Sequence, residues 1–282
     1  MFLNTLFWAF PVHLIALTKL LIRDDAWQRI CARVIMVHAN GWIRGILASL
    51  KLTQATRYEV EGLEGLSRNQ WYFINCNHQT WADILVLFRT FHGHIPFFKF
   101  FLKKELFKVP ILGTAWWALD YPFMERFSKS FLEKNPHMKG KDLETTRKAC
   151  ERYRHTPVSI LNFIEGTRFT REKHASQQSP YRHLLRPKAG GFAFTLAAMD
   201  GKISNILDVT IIYPPMRFSF WDYLCGRIPT ITVRARKLEV PGEFLKGDYQ
   251  NDEVFRDRFQ TWVCDLWQKK DDLIEQHRSA AE

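Results

Sequence analysis

The sequence predicts an α/β fold: a mixed, largely parallel central sheet flanked by helices, with a helical segment ahead of it. Three observations predict it. From residue 52 onward, short strand-like apolar runs alternate with helical ones, the pattern of parallel strands joined by helical crossovers. Ahead of them, Met1 to Ile22 is almost wholly apolar. Finally, 46% hydrophobic and 24% charged residues over 282 positions is globular usage. A chain of that length buries a substantial core, and its composition excludes a disordered tail or a fibrous repeat.

Met1 to Ile22 meets its first charge at Lys19, with Arg23-Asp24-Asp25 after it. A cleavable leader would carry basic residues before the apolar run, not behind it. The run reaches the roughly 20 residues needed to span a bilayer, but Pro11 and Lys19 interrupt it, so spanning and interfacial modes both stay open. From Trp27 to Leu52, apolar positions (Ile30, Val34, Val37, Ile43, Ile46, Leu50) recur at helical spacing with Arg29, Arg33, Arg44 and Lys51 between them. That predicts an amphipathic helix at a bilayer surface, interrupted near Asn40-Gly41; a buried helical hairpin of a soluble core is the alternative. Residues 1–55 are thus expected to be membrane-anchoring helices, and 56–282 an α/β domain.

Within that domain, 57–60, 71–76, 95–98, 157–164, 206–213 and 230–236 read as strands. Residues 81–91 and 142–155 read as helices. So does 252–277, with Phe255, Phe259, Val263 and Leu266 along one side. The polar stretches 127–141 and 170–187 are expected to be functional loops.

Forty Lys and Arg against 29 Asp and Glu give +11, alongside 15% aromatic residues. That pairing points to a polyanion or an anionic membrane. The five cysteines (Cys31, Cys76, Cys150, Cys225, Cys264) are odd in number and form no C-x-x-C pair. A disulfide framework and a zinc knuckle are both unexpected, and a reducing compartment is the simpler reading. Pro96 to Lys108, PFFKFFLKKELFK, interleaves lysines with phenylalanines. The mixture suits an anionic lipid surface; stacking of single-stranded nucleic acid and a partly buried helix with solvated lysines are its alternatives.

Two segments carry candidate chemistry. Asn77-His78-Gln79-Thr80-Trp81-Ala82-Asp83 comes directly after the strand-like WYFINC, and ligands bind at the carboxyl ends of strands in such sheets. An Asp can accept from one imidazole nitrogen and leave the other basic. Five residues on a regular helix put two side chains about 140° apart, so the pair meets only if His78 precedes a helix and Asp83 lies in its first turns. A structural His–Asp pair is the competing reading. Phe163-Ile164-Glu165-Gly166-Thr167-Arg168 comes after another apolar run. Gly166 permits a tight turn, and Arg168 offers a planar fork suited to phosphate, or else a surface arginine.

These segments, with Gly113 to Arg126 and Asp208 to Pro214, resemble in order and spacing the four blocks of the glycerolipid acyltransferase family, the PlsC-like lysophosphatidic acid (1-acylglycerol-3-phosphate) acyltransferases. N-H-x4-D matches at Asn77, His78 and Asp83. F-P-E-G-T-R matches at Phe163, Glu165, Gly166, Thr167 and Arg168, with Ile164 in place of proline. The continuation from Phe169 to His174 resembles the larger lysophospholipid acyltransferases and their bacterial relatives. The second block matches loosely through Gly113 and Arg126. The fourth departs most, with Ile212-Tyr213-Pro214 where the family has a proline after the strand.

The resemblance implies transfer of an acyl group from acyl-CoA or acyl-carrier protein to a lysophospholipid hydroxyl, 1-acylglycerol-3-phosphate foremost. His78 would be the general base and Asp83 its orienter. Arg168, Gly166 and Thr167, with Arg126 assisting, would hold the acceptor phosphate, and Glu165 would orient the loop or the glycerol. Lys188 matches a lysine the family often carries downstream. Backbone N–H groups beside Gly166 are the candidate oxyanion donors. No cofactor, metal or cysteine nucleophile is implied. The expected partners are anionic membrane lipids, the acceptor and the thioester, with no nucleic acid. The absence of a spanning run after residue 215 suggests a bacterial enzyme at the cytoplasmic face of the inner membrane. A non-catalytic membrane-surface scaffold of the same fold is the alternative, against which the intact His78, Asp83, Glu165, Gly166 and Arg168 argue.

Overall fold

The computed structural model describes residues 1–124, 144, 147–148, 150–151, 153 and 156–280. The chain divides into two compact units, one of residues 1–53 with 100–149 and the other of 54–99 with 150–282. The unit that holds the N-terminal helices therefore also takes in a central stretch of the chain.

In that first unit, α1 (Phe2–Leu21) and α2 (Asp25–Thr53) run antiparallel. The Asn4 amide donates to the Trp42 carbonyl at 3.0 Å, and the Trp42 indole to the Thr5 hydroxyl at 3.0 Å. Pro11 does not break α1. Nor does Asn40-Gly41 break α2, contrary to the sequence expectation. The glycine has a packing reason instead: a Cβ on Gly41 would overlap the Trp8 indole, so its hydrogen lets the two helices close. One face of α1 packs inward through Val12 and Ala16. The other leaves Phe2, Leu3, Phe7, Phe10, Leu14 and Leu17 exposed, a continuous apolar stripe. Of the helices described, α1 is the one long and apolar enough to cross a membrane. Helix α4 (Leu112–Ala118) joins α1 through His13 Nε2 and the Thr114 hydroxyl, and Lys19 pairs with Asp120 at 3.1 Å just beyond it.

The second unit is built on a six-stranded sheet in the order β1-β8-β7-β2-β6-β3. Its strands are β1 (Arg57–Glu61), β2 (Tyr72–Cys76), β3 (Phe98–Phe100), β6 (Ser159–Asn162), β7 (Asn205–Ile212) and β8 (Thr230–Glu239). Strand β2 pairs parallel with β6 and β7, β1 parallel with β8, and β7 antiparallel with β8, which makes the sheet mixed. All five residues of β2 are buried, as expected of a central strand covered on both faces. Helix α3 (Ala82–Phe91) comes after β2, and α6 (Gly190–Met199) precedes β7. The short α7 (Phe220–Leu224) and α8 (Gly242–Leu245) come after β7 and β8, and α9 (Glu253–Ser279) closes the chain. An aromatic layer fills the gap between sheet and helices: Phe73 stacks on Phe192 at 4.0 Å, and Phe192 meets Phe259 edge-on at 5.4 Å.

The Phe/Lys stretch is not the helix considered for it. It forms all of β3, the short strand β4 (Leu102–Lys103) pairing with β5 (Phe123–Met124), and a 3₁₀ turn at Lys104–Lys108. The expected loop 127–141 and most of the expected helix 142–155 lie outside the described residues. The 170–187 connection contains a short helix, α5 (Arg171–Ser176).

Candidate active site

Because β2, β6 and β7 are mutually parallel, the segments leaving their carboxyl ends emerge on one edge of the sheet. These are Asn77–Trp81, Phe163–Phe169 and Tyr213–Ser219. Asn77, fully buried, extends the pairing past the end of β2: its side-chain amide donates to the Ile211 carbonyl and accepts from the Ile211 N–H, both at 2.9 Å. One side chain thus replaces a ladder rung and releases the backbone to turn. His78 sits in that turn, before α3, and Asp83 sits in the first turn of the helix.

The two meet as the spacing required. His78 Nδ1 lies 2.8 Å from Asp83 Oδ2. The same oxygen accepts the N–H groups of Gln79 (2.6 Å) and Thr80 (3.0 Å), while Oδ1 accepts the Tyr213 hydroxyl at 2.7 Å. A buried carboxylate with four donors is held in one orientation, and it selects the imidazole tautomer that leaves Nε2 as acceptor. Burial, reinforced by the facing Asp83, pushes the Tyr213 phenol well above its ordinary range and keeps it a donor. By sequence alone Tyr213 reads as core or channel wall; the structure makes it a partner of the pair. The imidazole lies flat against the Phe163 ring, centroids 4.0 Å apart, and is largely shielded.

Glu165 does not face solvent. Its carboxylate accepts the His78 N–H at 3.1 Å and the Leu185 N–H at 3.3 Å, so it clamps the backbone that carries the imidazole. Burial pushes its carboxyl up to about 8, a rise that the two N–H donors partly offset. The folded state therefore binds a proton that the unfolded chain has released. Glu165's contribution to stability is complete below pH 4.5, falls as pH rises, and is lost above about 8. Glu165→Gln is expected to flatten this part of the pH–stability curve, as measured by urea unfolding at pH 5, 7 and 9. A wild-type curve equally flat would remove Glu165 as its cause.

Gly166 has φ +71°, and its N–H closes the turn onto the Phe163 carbonyl at 2.8 Å, so that particular amide is already engaged. A Cβ there would come within 3.4 Å of Lys188 Nζ, which places the ammonium directly over the turn. The Lys188 N–H donates to the Ile164 carbonyl at 2.7 Å. Thr167 accepts from Lys173 Nζ at 2.7 Å, and the same ammonium reaches the Arg168 carbonyl at 3.0 Å. Lys173, within the continuation from Phe169 to His174, braces the turn. The exposed Arg168 guanidinium stacks on the Trp81 ring at 4.6 Å, and the Phe169 N–H donates to the His78 carbonyl at 2.7 Å, tying this loop to the histidine. Arg126 lies outside the described residues. Cys76, just before Asn77, is fully buried, and burial pushes its thiol far up, which denies it thiolate character.

Further back, a buried charge cluster fastens β7. Lys270 from α9 contacts Asp208 at 2.9 Å and the Val209 carbonyl at 2.5 Å, while Arg236 of β8 contacts the other Asp208 oxygen at 2.6 Å. Helix α9 also holds the loop before Lys188. Asp271 accepts the N–H groups of Arg182 (2.7 Å) and His183 (2.8 Å), and the Trp267 indole donates to the Leu185 carbonyl at 2.9 Å.

The chain is 24% identical over 240 residues to a 2-acyl-1-lysophosphatidylinositol acyltransferase of Saccharomyces cerevisiae, covering 72% of this chain and 60% of that protein. It is 27% identical over 191 residues to the 1-acyl-sn-glycerol-3-phosphate acyltransferase delta of Mus musculus, covering 64% and 45%. The chain thus spans 60% and 45% of the length of these two curated relatives, less than two thirds of either. The crystal structure of the 1-acyl-sn-glycerophosphate acyltransferase PlsC from Thermotoga maritima shares the fold, with TM-score 0.51 at 18% identity over 97% of this chain and 95% of that one. The family model described as Acyltransferase matches residues 57–214, more than half of the sequence and the whole run from β1 to the segment after β7. The chain belongs to the acyltransferase family.

Proposed function

We propose that the chain moves a fatty acyl group from a thioester, acyl-CoA or acyl-carrier protein, to the free hydroxyl of a lysophospholipid, with 1-acylglycerol-3-phosphate the acceptor that fits best. The observation that carries this reading is the His78–Asp83 pair at the mouth of the sheet, with its second imidazole nitrogen free and arginine and lysine side chains around Gly166 beside it. The names of the relatives agree with it.

His78 Nε2 takes the hydroxyl proton as the acceptor oxygen attacks the thioester carbonyl carbon. Asp83 stabilises the imidazolium that forms. Collapse of the tetrahedral intermediate breaks the carbon–sulfur bond, and the imidazolium returns its proton to the departing sulfur. One ester forms and one thiol leaves, with no acyl-enzyme. Arg168 and Lys188 hold the acceptor phosphate, Thr167 and Gly166 shape the turn that presents them, and Arg126 assists. The acceptor is a membrane lipid. The exposed apolar stripe of α1 supports association with an anionic bilayer. Five cysteines outside any disulfide suit the cytoplasmic face, that of the inner membrane in a bacterium.

Arg168→Ala tests the acceptor side. It is expected to raise KM for 1-acylglycerol-3-phosphate roughly 10- to 100-fold, as loss of a charge-assisted contact does, and to leave KM for a monoacylglycerol unchanged. Equal changes for both acceptors would contradict the assignment.

A further inference from the structure

The sheet-bearing unit has five exposed large hydrophobic side chains among its described residues: Trp81, Met216, Phe220, Trp221 and Val254. Four of them lie on segments leaving the carboxyl ends of β2 and β7, the edge that carries His78; Val254, at the start of α9, is the exception. Trp221 is 66% exposed and Trp81 53%, large values for the bulkiest apolar side chain. Three arginines, Arg168, Arg171 and Arg217, are exposed on the same edge. The acidic groups there are largely answered. The Asp222 carboxylate accepts the Ser219 backbone N–H at 2.8 Å in the capping box of α7 and pairs with Arg227 at 2.8 Å. The Glu172 carboxylate is held below its usual range by its own backbone N–H and the Thr170 hydroxyl, with Arg171 and Arg217 adding to the effect. The edge is therefore aromatic and net basic.

We propose that the segment from Pro214 to Leu224, with Trp81, is a lipid-contact surface that seats the mouth of the site on an anionic bilayer. Tryptophan and phenylalanine flanked by arginine partition to the headgroup layer, where the rings enter the interface and the guanidinium groups meet phosphates. Single protruding rings on a turn and a short helix insert into a fluid surface. This surface rests on the proposed function only in that a bilayer-borne acceptor gives it a purpose. It places the second contact beside the reacting atoms, on a unit other than the one that carries α1.

Cys225, exposed at the end of α7, offers a native reporter. In the full chain carrying Cys264→Ser, an environment-sensitive dye on Cys225 is mixed with vesicles of phosphatidylcholine and phosphatidylglycerol. The emission is expected to shift to the blue on these vesicles. Removing the arginine in Arg217→Ala should weaken the response roughly fivefold. A variant with Met216→Ser, Phe220→Ser and Trp221→Ser should lose the shift, and its transfer to a vesicle-borne acceptor should fall at least about tenfold. Its turnover of a short-chain monomeric acceptor should stay within about twofold of wild type. A dye that remains in water while the chain sediments with vesicles would overturn the proposal, as would a shift that needs only a second protein molecule. If no acceptor is acylated by wild type, the catalytic reading fails while the dye still decides the surface.

Discussion

Replacing His78 by Ala is expected to lower acyl transfer about 10²- to 10⁴-fold, the range that a positioned general base contributes. The fold should survive. Residue 78 holds its neighbours through its backbone, donating to Glu165 and accepting from Phe169, and alanine keeps both bonds. What disappears is the imidazole between Asp83 and the Phe163 ring. Thiol release from acyl-CoA in the presence of 1-acylglycerol-3-phosphate reads the rate, and near-ultraviolet circular dichroism checks the packing. Asp83→Ala is expected to be worse in one respect, since it also strands the N–H groups of Gln79 and Thr80 and the Tyr213 hydroxyl. It should lose stability as well as rate. An alanine at 78 that retains full activity would reduce the pair to a structural contact.

The second large effect is on stability. Asp208 and Lys270 are both fully buried, and Asp208→Ala would leave the ammonium without a carboxylate, facing the Val209 carbonyl, the Thr210 hydroxyl and the Trp267 ring. Removing one partner of such a pair costs about 3–5 kcal/mol, because the remaining charge is uncompensated in a low-dielectric interior. Removing the ammonium as well, in Asp208→Leu with Lys270→Met, is expected to recover part of that loss; the Arg236 guanidinium, which is one-third exposed, then turns to water. Urea unfolding of the single and double variants measures both. The single loss should also slow catalysis, since the adjoining stretch of β7 supplies the Ile211 backbone that holds Asn77 and Gln79. A double variant as unstable as the single one would contradict the charge account.

The elements that the sequence made legible were those whose residues act over short distances. Period-two and buried runs announced β2, β7 and β8, and the amphipathic spacing of Phe259, Val263 and Leu266 announced α9. The His78–Asp83 contact came from helix geometry, because five residues meet only across a helix start. What stayed hidden depends on partners far along the chain. Tyr213 reaches Asp83 across 130 residues, and Glu165 reaches the His78 backbone across 87. Asp208 and Lys270 sit on a strand and a helix whose local patterns contain no sign of each other. Gly41 shows the reverse error. A glycine in a helix suggests a break locally, and only the Trp8 ring on the neighbouring helix reveals why it is there.

Direct transfer, with the acceptor as nucleophile, is the step on which the proposed chemistry turns. The most direct measurement supplies the full chain, in vesicles, with acyl-CoA and 1-acylglycerol-3-phosphate, counting free thiol and diacylglycerol phosphate together. Direct transfer predicts one product molecule for each thiol released, no thiol without the acceptor, and no acyl group left on the protein. Thiol release without the acceptor, or a stoichiometric acyl-protein, would contradict it.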